Sequence, residues 1–428
     1  MASSLAPEIL SEIFLACIPA LDDNDLLAYF PYRVSHVCHH WRTTALGFPK
    51  LWSFLDVEQT QENQECDSEE LFILKAYLER SGQHPLTFRL ACSYETLHYQ
   101  TLLVCLEEHM ARWQNVYIQS PDEYTLQHLE YGDPSDYPML RTLVCTDRRF
   151  DSDAASAYDS EGSVLHSIPW AQLKQYHEIQ VSWSPDCGRQ WEIMSQLTNV
   201  VDLRASFYAK CQNEEAIEMP HLRFASLAID ENKDKLKIED IISCFHFPGI
   251  QGLNLKLTDT CPMGALSPVP DQLKRLKILR LCGSLKAISN DALLGILTEI
   301  QGLTDLAMEL RQIDITYLFT LLTPNNSESV LIPHLRALRT TAFIPVADGE
   351  LDALLEMLRQ RFGKVYGGRL ERFEFLLGKS PRGELDASAS TMFYKLEELK
   401  TTEGWDIRVD KEWQIYDFWG AEMDGEFL

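Results

Sequence analysis

One spacing, apolar-x-x-apolar-x-apolar, recurs along most of this 428-residue chain. It appears as Leu140/Leu143/Cys145, Leu173/Tyr176, Leu197/Val200/Leu203 and Leu222 to Leu227, then as Ile250/Leu253/Leu255 and Leu276/Leu279/Leu281. It continues as Leu303/Leu306/Met308, Leu335/Leu338, Leu370/Phe373/Phe375 and Leu396/Leu399. Successive anchors lie 33, 24, 25, 28, 26, 27, 32, 35 and 26 residues apart. The closing apolar-x-apolar step has the period of two that marks a strand. Between anchors run helical stripes such as Leu293, Leu294, Ile296 and Leu297, or Leu351, Leu354, Leu355 and Leu358. Pro138, Pro169, Pro220, Pro248 and Pro333 stand just ahead of their anchors as turn residues. A strand plus a helix at a near-constant interval cannot hide its own apolar face, so such units stack and bury a shared core. A doubly wound α/β protein also alternates strands and helices, but nothing in it holds a constant interval. The expected class is therefore α/β, with ten to twelve coils.

Earlier in the chain the same alternation is legible without the full motif. Asp67-Ser68-Glu69-Glu70 has the acceptor-then-Glu spacing of a capping box and opens a helix that Gly82 stops. Pro85 to Leu90 and Asn115 to Ile118 read as strands on either side of a helix spanning about Ser93 to Arg112.

The first fifty residues differ. Leu5, Ile9, Leu10, Ile13, Phe14 and Cys17 form one helical stripe, with Pro7 suited to a first turn. Val34, Val37, Cys38, Trp41 and Ala45 form a second, ended by Gly47 and Pro49, with Leu51 and Trp52 behind. That is more apolar surface than fifty residues can enclose.

Three blocks stand in order here: Leu5-Ala6-Pro7-Glu8-Ile9-Leu10-Ser11-Glu12-Ile13-Phe14, then Val34-Ser35-His36-Val37-Cys38-His39-His40-Trp41-Arg42, then Leu51-Trp52. Together they resemble an F-box, in the form found in the F-box-like proteins of mushroom-forming fungi. Ala6 replaces a common proline, and Ile18 to Tyr32 is longer than in the compact form. The repeat interval similarly resembles an irregular leucine-rich repeat that lacks the asparagine ladder. The implied organisation is a small all-α F-box module at 1–56, followed at 57–428 by an irregular leucine-rich-repeat-like α/β solenoid. Trp413, Tyr416, Phe418 and Trp419 are expected to cap its last coil. The polar, acidic run Asp147 to Ser163 reads as a mobile loop.

A net charge of −26, from 38 basic and 64 acidic residues, argues against phosphate backbones and anionic membranes as partners. Most cysteines sit in apolar runs, no signal peptide is visible and no run could span a bilayer, so a reduced cytoplasmic or nuclear setting is expected. Cys38-His39-His40 suggests a metal, but neighbours on a helix diverge by about 100° and Cys38 is expected to face the core. No phosphate loop, dinucleotide fingerprint or nucleophile elbow occurs, and acidic pairs such as Glu107-Glu108 read as solvated. No catalytic residue, metal or cofactor is assigned. The most basic stretch, Arg359, Arg361, Lys364, Arg369 and Arg372, is the one candidate for a phosphate-reading patch.

The resemblance implies a non-catalytic adaptor. Leu5, Pro7, Ile9, Leu10, Ile13, Phe14, Val37, Trp41, Leu51 and Trp52 would dock the Skp adaptor and, through it, cullin. The repeats would hold a protein substrate for ubiquitin transfer. A repeat scaffold acting outside a ligase is the alternative.

Overall fold

The computed structural model describes residues 5–18, 30–59, 67–92, 97–119, 129, 133–146, 167–179, 187–207, 215–229, 238–257, 270–283, 289–310, 315–324, 331–343, 348–363, 370–378 and 387–410. The acidic run at 147–163 and the aromatic residues from Trp413 to Trp419 lie outside these. The chain divides into two compact units, Met1–Asp202 and Leu203–Leu428.

The first unit opens with helices α1 (Pro7–Ala16), α2 (Phe30–Ser35) and α3 (His39–Leu46), then a 3-10 turn, Pro49–Trp52. There follow β1 (Phe54–Gln59), α4 (Asp67–Arg80), β2 (Leu86–Cys92), α5 (Leu97–Glu107), β3 (Trp113–Gln119), β4 (Thr142–Thr146), β5 (Gln175–Ile179) and α6 (Cys187–Gln196). Strands β1 to β5 lie side by side in chain order, and every pair is parallel. Parallel neighbours need a crossover between them, which the intervening chain supplies. Because strand side chains alternate, one register row faces the core throughout: Leu55, Phe88, Val116, Leu143 and Tyr176, all buried. Strand β1 runs across the junction expected at 56–57, so the helices lead directly into the sheet rather than standing apart from it.

The second unit contains β6 (Asp202–Phe207), β7 (Ile217–Glu218), β8 (Phe224–Ile229), α7 (Ile238–Ser243), β9 (Phe245–His246), β10 (Gly252–Leu257) and β11 (Ile278–Gly283). Then come α8 (Asn290–Glu299), β12 (Asp305–Leu310), α9 (Ile315–Leu322), β13 (Ala337–Phe343), α10 (Asp348–Phe362), β14 (Arg372–Gly378), α11 (Ala387–Glu403) and β15 (Asp406–Asp410). Strands β6, β8 and β10 to β15 again lie in chain order, parallel from β8 onward, and β7 pairs separately with β9. The third residue after each sequence anchor falls on one register row: Ala225, Leu253, Leu279, Leu306, Leu338 and Phe373. All are buried, and Ile407 continues the row on β15. At about 25 cal/mol per Å² of apolar area, such rows supply the main driving force of the fold.

The last anchor is a correction. Leu396 and Leu399 lie inside α11, and the strand they were expected to open begins ten residues later at Asp406. An i, i+3 leucine pair suits a helix face as well as a strand entry, so the spacing alone misleads. The helix expected over Ser93 to Arg112 is also shorter, ending at Glu107 before a 3-10 turn at Met110–Arg112.

Two buried arginines staple helix ends. Arg112 donates from Nε to the His84 carbonyl (3.0 Å) and from one terminal nitrogen to Ser81 Oγ (2.6 Å), beside the end of α4, which Gly82 (φ +58°) terminates. Arg361 on α10 donates to the carbonyls of Leu322 (2.7 Å), Leu331 (2.6 Å) and Ile332 (2.9 Å). Leu322 is the last residue of α9, so the guanidinium meets a carbonyl that the helix cannot satisfy itself.

Candidate functional site

Pro7 occupies the first turn of α1, where its missing N–H costs nothing. Leu10 and Phe14, one turn apart, are buried, whereas Leu5, Ile9 and Ile13 stand exposed at intervals of four. The helix therefore has two apolar faces: the inner one packs Phe14 edge-on against Trp41 (5.1 Å between ring centroids), and the outer one meets water.

The second stripe was expected on one helix. Instead the chain breaks between α2 and α3, with Cys38 in extended conformation (φ −161°, ψ 172°) as the N-cap of α3. Its Sγ accepts from the Trp41 amide at 3.5 Å. Arg42 Nε closes the break by donating to the Ser35 carbonyl (3.0 Å), and the His40 ring meets the Leu5 carbonyl (2.9 Å). The break turns Val37 out to 57 % exposure and leaves Cys38 exposed rather than facing the core. Leu46, at the end of α3, is exposed as well. Sequence reasoning missed it, although an apolar residue falling off the stripe of its own helix was the available signal. Of the ten large apolar residues that stand exposed among the described residues, five (Leu5, Ile9, Ile13, Val37 and Leu46) belong to this helical unit.

The remaining sequence candidates do other work. Leu10, Phe14, Leu51 and Trp52 are core, Pro7 is exposed, and Trp41 lies half-buried over Phe14. Trp52 sits edge-on between Tyr32 (5.3 Å) and Tyr77 of α4 (5.0 Å), with the Arg80 guanidinium 4.4 Å from its ring. Its indole N–H donates to the Ala45 carbonyl. This aromatic cluster welds the helices to the first strand–helix pair.

The described residues of the basic stretch, Arg359, Arg361 and Arg372, do not gather on one surface. Arg361 is buried on carbonyl oxygens, Arg359 is exposed, and Arg372 leans on Glu374 (3.7 Å). Lys364 and Arg369 lie outside the described residues. Burial of Arg361 removes it from any surface role, because its donors already satisfy the protein's own backbone.

Sequence reasoning also missed Glu178. It occupies the row of Leu90, Ile118 and Cys145, where every other described side chain of that depth is apolar. Burial pushes its carboxyl up to about 8, and Gln190 of α6 (3.3 Å) and the Tyr176 hydroxyl (3.2 Å) are its hydrogen-bond partners.

Among the described residues no group of three or more His, Cys, Asp or Glu side chains could hold a metal ion, and no helix is long and apolar enough to cross a membrane. Compared with known proteins, the chain matches no family model and no curated sequence.

Proposed function

We propose that the chain is a substrate-recognition subunit of a Skp–cullin–F-box ubiquitin ligase. In this reading the N-terminal helices dock the Skp adaptor, and the strand–helix repeats, as an irregular leucine-rich-repeat solenoid, hold a protein substrate. The observation that carries it is the outer face of α1, where Leu5, Ile9 and Ile13 face water while Leu10 and Phe14 fill the core. Large aliphatic side chains concentrated on one small unit mark a surface made for a partner. The chain would contribute no chemistry to ubiquitin transfer: holding the substrate beside the charged ubiquitin makes the encounter nearly intramolecular. The motif order Leu5 to Phe14, Val34 to Arg42 and Leu51-Trp52 supports the same reading.

The test uses the full chain with Ile9→Glu and Ile13→Glu together, both at exposed positions. Tagged wild type brings down the Skp adaptor and cullin; the double variant loses both while its thermal midpoint stays unchanged. Undiminished capture by the variant would overturn the assignment. Capture of the adaptor without cullin would favour the repeat scaffold acting outside a ligase. Leu10→Ala is unsuitable, since a buried leucine reports folding as much as docking. A truncation at residue 66 is equally unsuitable, because it strips β1 from β2.

A further inference from the structure

The helices that open the chain invert its charge. Residues 30–52 hold Arg33, Arg42, Lys50 and three histidines without one Asp or Glu, in a chain of 64 acidic and 38 basic residues. Helix α3 shows where part of that charge goes. His39, Arg42, Thr43 and Leu46, at offsets 0, 3, 4 and 7, are all exposed, whereas Thr44 and Ala45 are buried. Such offsets share one helix face, so α3 turns a continuous stripe about 12 Å long to water. Val37 is exposed just before its first turn and Leu46 at its last residue, so apolar side chains bracket a cationic middle.

The cations of this unit are held in place and left uncompensated. Arg42 gives its Nε to the Ser35 carbonyl (3.0 Å), which fixes it beside the break between α2 and α3. Arg33 on α2 and Lys50 in the following 3-10 turn are exposed as well. Among the described residues no ion pair joins any of the three to a carboxylate, Glu8 and Glu12 of α1 included. A neutral partner covering Val37 and Leu46 would strip water from these cations and give nothing back. An acidic partner replaces that water with charge-assisted hydrogen bonds, for which the forked guanidinium is suited. A long polyanion would run on into a molecule of net charge −26 and be repelled, whereas a short acidic segment meets only this stripe.

We propose that the exposed face of α3, with Val37 before it and Lys50 after it, docks an acidic protein segment. Apolar side chains of the segment cover Val37 and Leu46, and its carboxylates pair with Arg42 and the cations on either side. The Skp adaptor, assigned above to the outer face of α1, would be such a partner where its surface reaches α3. The charge and exposure of α3 hold whichever protein it is.

The experiment is fluorescence anisotropy with the full-length chain and three labelled probes: a peptide of Glu and Leu in helical alternation, its Gln-for-Glu isostere, and a single-stranded oligonucleotide of equal charge. The acidic peptide is expected to bind roughly tenfold or more tighter than its isostere, weakening with salt, and tighter than the oligonucleotide. Arg42→Gln is expected to reduce that preference severalfold and Thr43→Glu to abolish it, whereas Lys395→Gln on α11 leaves it intact. Thr43→Glu keeps the bond from Arg42 to Ser35 and decides the matter if Arg42→Gln does not fold. Equal binding of the two peptides, full acidic preference in a folded Thr43→Glu chain, or tighter binding of the oligonucleotide overturns the proposal. Capture of the Skp adaptor is measured separately, so either assignment can fail while the other stands.

Discussion

Trp52 donates its indole N–H to the backbone carbonyl of Ala45 across 2.8 Å, binding the last turn of α3 to the entrance of the sheet. Trp113 makes the same bond to Leu106, again seven residues back and again from the head of a strand to the end of the preceding helix. A tryptophan seven residues past a carbonyl thus serves as a hinge pin twice in the first unit.

Trp52→Phe keeps most of the packing but removes the indole donor to the Ala45 carbonyl, which keeps the Phe48 amide (3.3 Å), and loses the larger face under Arg80. The expected cost is about 1–3 kcal/mol, against about 3–5 kcal/mol for Trp52→Ala. Urea denaturation monitored by fluorescence checks both. Because Trp52 packs on Tyr77, the N-terminal helices and α4 are expected to lose structure together rather than in separate transitions.

Arg361→Met retains the aliphatic bulk but removes the donor to three carbonyl oxygens, of which that of Ile332 keeps the Leu335 amide. A loss of about 3 kcal/mol or more is expected, or roughly 6–12 °C in thermal midpoint for a unit of this size. Burial also brings the Arg361 guanidinium down to about 10, so it is charged at neutral pH and its removal is not eased by prior deprotonation. Differential scanning calorimetry reads the shift.

Glu178 makes stability depend on pH in an unusual direction. Its carboxyl is held near 8 in the fold against an ordinary value of 4.5, so the native state binds the proton more tightly than the unfolded chain. Stability from this group is complete below about pH 4.5 and is lost as pH rises to about 8, with a steepest slope of about 1.4 kcal/mol per pH unit. Glu178→Gln keeps the shape and removes the ionisation. Denaturation curves of both proteins across that window are expected to diverge, the variant being the more stable at the alkaline end. Parallel curves would show that the carboxylate is solvated instead.

Much of the fold was legible because burial repeats. Leu253, Leu279, Leu306 and Leu338 fall at equivalent places in the sequence and face one another in register on adjacent strands, so one pattern carried both the strands and their alignment. Leu396 and Leu399 failed because an i, i+3 pair is shared by helices and strand entries, and only the packing of α11 decides between them. The exposed face of α1 was legible as an excess of apolar residues, but not which residues formed it. Leu10 and Phe14 are chemically like Ile9 and Ile13, and it is the packing of α1 on its neighbours, Phe14 against Trp41 among them, that makes one pair core.

Residue periodicity by itself determined the class, the order of strands and helices and the row of buried leucines, since each depends on neighbours along the chain. Only the tertiary structure decided the roles of polar and charged residues. Arg361 became a staple and Glu178 a protonated core side chain because of groups 39 and 12 residues away. Apolar burial is set by a pattern of spacing; the state of a charge is set by what stands within a few ångströms of it, and that distance exists only once the chain has folded.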